Sequence, residues 1–194
     1  MRKGMKGSVS GSLASVGAAV PYAIAGKFAF PDRTIVCFTG DGAMQMNGLN
    51  ELITVEKYWQ QWSNSHLIFI VLNNRDLNQV TWELRIEAGN PKIPLTQSIP
   101  DFPYAAYADS IGLQGIRVDK PEDVGRAFEE AFSASRPVVV DVYTDPDVPI
   151  IPPHITFEQA KNFSEALLKF DPEEGGIIKE SVKSVVEGIL PHKG

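Results

Sequence analysis

Three stretches of the chain are apolar and rich in β-branched residues without alternation: residues 34–39 (TIVCFT), 67–72 (LIFIVL) and 137–143 (PVVVDVY). Short continuous apolar runs of this kind are the pattern of strands covered on both faces. A further strand is predicted around residues 115–118. Between the strands the period changes. In residues 46–60 the apolar positions Leu49, Leu52, Ile53 and Val55 are interleaved with Glu51 and Glu56, which predicts a helix. Residues 13–29 read as a helix of small residues, 77–88 and 103–111 as helices, and 121–133 as a helix with Pro121 in its first turn. Residues 89–103 carry Pro91, Pro94, Pro100 and Pro103 and are expected to form an extended loop.

Strands alternating with helices predict an α/β fold, a doubly wound parallel sheet with helices on both faces. Right-handed crossovers then bring the C-terminal ends of all strands to one edge. After Tyr143 the character changes. Pro146, Pro149, Pro152 and Pro153 mark a linker, followed by two amphipathic helices near 156–169 and 176–189. The expected division is a main domain over residues 1–148 and a Pro-rich linker with a helical appendage over 149–194.

Composition narrows the class. The 194 residues carry a net charge of −6, and 43% are hydrophobic, ordinary for a folded chain. The pI near 5.1 leaves no basic excess for phosphate backbones, so no nucleic-acid partner is expected. A single cysteine, Cys37, makes neither an internal disulfide nor a multi-thiolate metal site, and it fits a reducing, cytoplasmic setting. No apolar run is long enough for a spanning helix, so no membrane partner is expected. Arg2, Lys3 and Lys6 ahead of apolar residues 13–25 give the start some likeness to a signal peptide. The Ala/Gly content and the Pro21-Tyr22 interruption favour a buried helix instead.

In an open parallel sheet, ligands sit beyond the carboxyl ends of the strands. Two strands here end in unusual polar sequence, one in Gly40-Asp41-Gly42 and the other in Asn73-Asn74-Arg75-Asp76. If those strands are neighbours, Asp41 and Asn74 face one crevice. A carboxylate, an amide oxygen and a backbone carbonyl form a hard oxygen set suited to Mg²⁺ or Ca²⁺. Gly42 and Ala43 would present N–H groups to an anion where the next helix starts. Taken alone, Asp41 reads better as a turn or cap residue; the second polar strand end reverses that preference. Generic nucleotide motifs fail, since Gln45 breaks a GxGxxG spacing and Pro21 breaks a P-loop ending at Gly26-Lys27.

Gly40-Asp41-Gly42, a 30-residue spacer (43–72) and Asn73-Asn74 resemble the two-part thiamine-diphosphate motif. The likeness extends upstream through GSLASVGAAVPYAIAGKFAFPDR and covers roughly residues 7–150. It is closest to the C-terminal, diphosphate-binding (PP) domain of the pyruvate oxidase and acetolactate synthase family. The resemblance implies a thiamine-diphosphate-binding fold with thiamine diphosphate and Mg²⁺ as cofactors. Asp41 would ligate the metal through its carboxylate, Asn74 through its side-chain oxygen and Asp76 through its backbone carbonyl. Gly40, Gly42 and Ala43 would lie against the diphosphate. Val16, smaller than the family's usual Met or Ile, would prop the bent cofactor, or else be plain core. Ala14 would offer its carbonyl to the aminopyrimidine.

The same resemblance implies an incomplete site. Family members carry a pyrimidine-binding domain and a central domain that have no counterpart in these residues. The activating Glu belongs to that pyrimidine-binding domain, so no catalytic residue is assigned here. The expected function is one half-site of a 2-oxo acid-converting enzyme, performing decarboxylation followed by oxidation or carboligation. The chain is expected to be inactive alone, competent with a pyrimidine-binding domain or subunit, and to form a homo- or hetero-oligomer. One alternative is a non-catalytic remnant or accessory partner-binding domain; a weaker one is a flavodoxin-like nucleotide or flavin binder. Among the remaining residues, Asn73 is expected to tie its loop to the backbone, and residues 75–85 to form a solvated helix. Tyr58, Trp59 and Trp62 should pack at a helix end, and His154 should lie in a plain loop rather than a lid.

Overall fold

The computed structural model describes residues 3–150 and 156–189; His154 lies outside the described residues. In chain order the elements are α1 (Ala19–Ala29), β1 (Ile35–Gly40), α2 (Asp41–Asn47), α3 (Leu49–Tyr58), β2 (Leu67–Asn73), α4 (Asn78–Ala88), α5 (Pro94–Gln97), α6 (Tyr104–Ser110), β3 (Gln114–Val118), α7 (Val124–Ser133), β4 (Val138–Tyr143), α8 (Phe157–Leu168) and α9 (Glu174–Ile189). They form two compact units, one of Met1–Asn73 with Asp101–Thr144, the other of Asn74–Pro100 with Asp145–Gly194.

The first unit holds the sheet. Its four strands are all parallel, in the order β1-β2-β4-β3. Successive side chains of β2 point to opposite faces, and both faces are covered. Leu67, Phe69 and Val71 pack with Val20 and Ile24 of α1, Leu52 and Val55 of α3, and Tyr104 and Ala108 of α6. Ile68 and Ile70 pack with Val138 and Val140 of β4 and with Ala127 and Ala131 of α7. Ala127 and Ala131 are four apart and so share one stripe of α7. Each fully buried aliphatic or aromatic side chain contributes about 1.5–3 kcal/mol. Gly115 is required by close approach: a Cβ there would strike the backbone of Ala105, so α6 lies directly on β3. At the outer strand β1 cover is thinner, with Phe38 64% exposed and Val36 also exposed.

The doubly wound sheet expected from the apolar runs is what forms, with three boundary corrections. The helix expected over 13–29 begins only at Ala19, because Ala14 (φ 46°) and Gly17 (φ 86°) are left-handed and cannot continue a right-handed helix. The helix expected over 46–60 is two, α2 starting at once after β1 and α3 following Gly48, a poor helix former. The Pro-rich loop contains one helical turn, α5, opened by Pro94.

At the end of α3, Phe28 meets Tyr58 and Trp62 edge to face, with ring centroids 5.5 and 5.7 Å away. Cys37 is buried, and burial pushes its thiol up to about 12, which makes it an inert core residue.

The second unit is built differently. Its apolar cluster is small: Trp82 and Ile86 of α4, Ile177 of α9, and Phe163 and Leu167 of α8. Beside it lies a network of buried ions. Arg85 Nε and Nη2 donate to the two Asp171 oxygens, each at 2.9 Å, and Arg85 and Asp171 are both fully buried. Glu173 joins Arg85 to Lys92, and Lys92 reaches Asp76. Burial opposes the Lys92 charge, but Glu173 and Asp76 hold its ammonium above the ordinary value. Burial likewise opposes the Asp171 charge, yet Arg85 and two backbone N–H groups bring its carboxyl below the ordinary value. So α4 is not a plain solvated helix. Helix α8 starts with a capping box between Thr156 and Gln159. Among the described residues no helix is long and apolar enough to cross a membrane.

Candidate functional site

The register of β1 on β2 sets Thr39 opposite Val71 and Gly40 opposite Leu72, so both strands leave the sheet at the same edge, side by side. One residue beyond Gly40 is Asp41, and β2 runs one residue further to Asn73. Asn73 is buried and paired with Tyr143 of β4. Its amide donates to Asp141 Oδ1 at 3.0 Å. The expected backbone tie is thus a side-chain tie between neighbouring strand ends. Burial raises the Asp141 carboxyl above its ordinary value, against the opposing pull of the Asn73 bond.

Asp41 is 3% exposed. Its Oδ1 accepts the Gly42 N–H at 2.8 Å, and its carbonyl accepts the Tyr104 hydroxyl at 3.2 Å. Gln45 Nε2 donates to the same Tyr104 oxygen at 2.9 Å. Burial pushes the Tyr104 hydroxyl up to about 12, against the lowering effect of Gln45 and with the Asp41 charge adding to the rise. Tyr104 is therefore a neutral donor that fixes the first residue of α2. Gly40, Gly42 and Ala43 sit at this junction of β1 and α2, where the Gly42 N–H is turned to Asp41.

Ala14 and Val16 lie in the segment before α1, next to Gly17. Gly17, with its positive φ, packs so close to α2 that a Cβ would meet Asn47 Cβ at 3.0 Å and lie 3.5 Å from the Ala43 carbonyl. Val16 is 63% exposed, so it is not a core residue of this chain.

Past Asn73 the chain enters the second unit. Asn74 Oδ1 accepts the Asp76 N–H at 3.1 Å, a local turn that Asn side chains favour. Arg75 between them is left-handed (φ 60°), a conformation that functional loops tolerate at some strain. Asp76 forms an isolated antiparallel bridge with Ser98. The bridge's hydrogen bonds, Ile99 N–H to Arg75 carbonyl and Leu77 N–H to Gln97 carbonyl, flank Asp76 and use neither its N–H nor its carbonyl. The Asp76 carboxylate is engaged elsewhere, 3.0 Å from Lys92 Nζ and accepting from Asn78 Nδ2.

The donor types suit the group the sequence suggested. Asp41 offers a buried carboxylate, Asn74 an amide oxygen and Asp76 a backbone carbonyl, all hard oxygens of the kind Mg²⁺ takes. Among the described residues no three His, Cys, Asp or Glu side chains cluster as a metal site, and this mixed set is not of that kind. Sequence reasoning missed Tyr104, Asp141 and Lys92. Asp141 had a signal, as the one charge inside the run PVVVDVY. Tyr104 and Lys92 had none.

Over residues 2–142 the chain matches the family described as thiamine pyrophosphate enzyme, C-terminal TPP binding domain. It is 37% identical to YdaP of Bacillus subtilis (strain 168) over 161 residues, 83% of this chain and 26% of YdaP. It is 35% identical to the acetolactate synthase isozyme 3 large subunit of Escherichia coli (strain K12) over 150 residues, 75% of this chain and 25% of that one. Among solved structures, the thiamine diphosphate-dependent 4-hydroxybenzoylformate decarboxylase of Rhodococcus jostii RHA1 superposes with a TM-score of 0.58 at 25% identity, over 67% of this chain and 23% of that one. The chain spans about a quarter of the length of the relatives it matches. With a match over most of its length, the chain belongs to the family of C-terminal thiamine-pyrophosphate-binding domains of thiamine-pyrophosphate enzymes, and is related to the acetolactate synthases.

Proposed function

We propose that these residues form the diphosphate- and Mg²⁺-binding half of a thiamine-diphosphate site in an enzyme that converts 2-oxo acids. The observation that carries this reading is the register of β1 on β2, which ends the two neighbouring strands at Gly40 and Asn73 on one sheet edge, with Asp41 and Asn74 next in the chain. Asp41 holds Mg²⁺ by its carboxylate, Asn74 by its side-chain oxygen and Asp76 by its carbonyl. The Gly42 and Ala43 N–H groups at the start of α2 would meet a diphosphate oxygen beside the ion that Asp41 would hold. Exposed Val16 would prop the bent cofactor, and Ala14 would offer its carbonyl to the aminopyrimidine. When bound, thiamine diphosphate supplies a nucleophilic carbon for the 2-oxo acid carbonyl and accepts the electrons left when CO₂ departs. The protein's share is to anchor, bend and shield it.

The pyrimidine-binding half and the activating acid come from another domain or subunit. These residues alone give no turnover, and the assembled enzyme is a cytoplasmic oligomer. Calorimetry tests the binding claim. Thiamine diphosphate should bind only with Mg²⁺ present, and Asp41→Ala should remove that binding. A variant that binds as the unchanged chain does would refute the ligand assignment. A second reading, a non-catalytic partner-binding domain, is favoured by exposed apolar residues on and around α1, namely Val16, Tyr22, Phe28 and Phe30. Complex formation without cofactor binding would select it. A monomer under all conditions in sedimentation would count against it.

A further inference from the structure

The buried ions of the second unit converge on one residue of the proposed metal loop. Lys92 is 5% exposed and stands between two carboxylates, 3.0 Å from Asp76 Oδ1 and 2.5 Å from Glu173 Oε1. Glu173 is held in turn by Arg85 Nη2 at 2.9 Å. Arg85 grips Asp171 through two nitrogens. The Asp171 oxygens also accept the Lys92 N–H at 2.9 Å and the Glu173 N–H at 3.0 Å. Glu173 and Asp171 precede α9, in the segment read from sequence as an appendage. A buried ammonium between two carboxylates has little freedom to leave either, since exposing any member leaves a desolvated charge unpaired.

We propose that Lys92, clamped by Glu173 and Asp171, is a positioning residue that fixes Asp76 so its backbone carbonyl faces a divalent ion. The inference rests on the reading of residues 74–76 as part of a Mg²⁺ and thiamine-diphosphate site. Two observations carry it. The Asp76 carboxylate is turned to Lys92, and the bridge to Ser98 leaves the Asp76 carbonyl outside its hydrogen bonds. The C-terminal segment is then part of the cofactor site's support rather than an ornament. Partners of this outer kind change metal affinity by about 10–100-fold when removed.

The test titrates Mn²⁺ into the full chain with thiamine diphosphate in excess, reading free ion by electron paramagnetic resonance. Lys92→Met and Glu173→Gln should each weaken Mn²⁺ about tenfold or more. Their combination should weaken it little further, and Lys92→Arg should keep most of the affinity. If the unchanged chain binds Mn²⁺ and Asp41→Ala does not, while Lys92→Met and Glu173→Gln bind normally, the positioning role is overturned and the cofactor reading stands. If the unchanged chain binds no Mn²⁺ with the cofactor, both fall. Amide hydrogen exchange of the unchanged chain covers the case of a variant that does not fold. Mg²⁺ with thiamine diphosphate should slow exchange at the Asp76 and Lys92 N–H groups together, and slowing at neither would sink the proposal.

Discussion

The two compact units keep folded by opposite means. In the first, a parallel sheet buries apolar side chains on both faces, and its buried Lys27 is held by the Arg33 and Asn64 carbonyls rather than by a carboxylate. In the second, a few apolar side chains share the interior with Arg85, Asp171, Lys92 and Asp76, all nearly inaccessible to water. Apolar packing degrades gradually as volume is removed. A buried ion network fails sharply, because each charge depends on its partner to offset desolvation. The first unit is therefore a tolerant scaffold, and the second a brittle one.

The largest expected effect probes the scaffold. Phe69→Ala opens a cavity between the sheet and its helices and should lower the unfolding free energy by about 4 kcal/mol, read by chemical denaturation. The graded character predicts that Phe69→Leu recovers much of that loss; no recovery would mean the sheet core is as unforgiving as the ion network. Next comes Arg85→Met, which strands Asp171 and should cost about 3 kcal/mol. Paired with Asp171→Asn it should cost clearly less than the two single changes added, and simple additivity would erase the contrast between the units. Acid sharpens the same point. The Asp171 carboxyl sits below its ordinary 3.8 in the fold, so its contribution is complete above that value. It is lost as pH falls through the depressed folded value. Exchange protection in α4 should fade over that range ahead of protection in β2, and Asp171→Asn should remove the pH dependence. The smallest effect is at the rim of the second unit, where Thr156→Ala removes the cap of α8 and should cost about 1 kcal/mol by thermal unfolding.

The difference between the units also explains what could be read before folding. Runs such as LIFIVL announce strands because a strand covered on both faces must be apolar throughout. The spacing of Gly40-Asp41-Gly42 to Asn73-Asn74 was visible for the same reason, since each group directly follows such a run. The start of α1 was misplaced because Ala14 and Gly17 take left-handed conformations, Gly17 in close packing against α2, which no local pattern records. Arg85 and Lys92 were illegible in a different way. Charged residues normally lie outside, and the partners that hold these two inside are some eighty positions along the chain. The Asn73 amide was expected to serve its own loop and instead meets Asp141, which only the β2–β4 register brings alongside.

Strand β1 ends the sheet, and among the described residues β2 is the one strand paired with it. With Phe38 standing out beside that open row, concentrated preparations would be prone to stick together, strand upon strand. Handling in the laboratory would be eased by a charged side chain at that one exposed site, while the sheet itself would scarcely register the change.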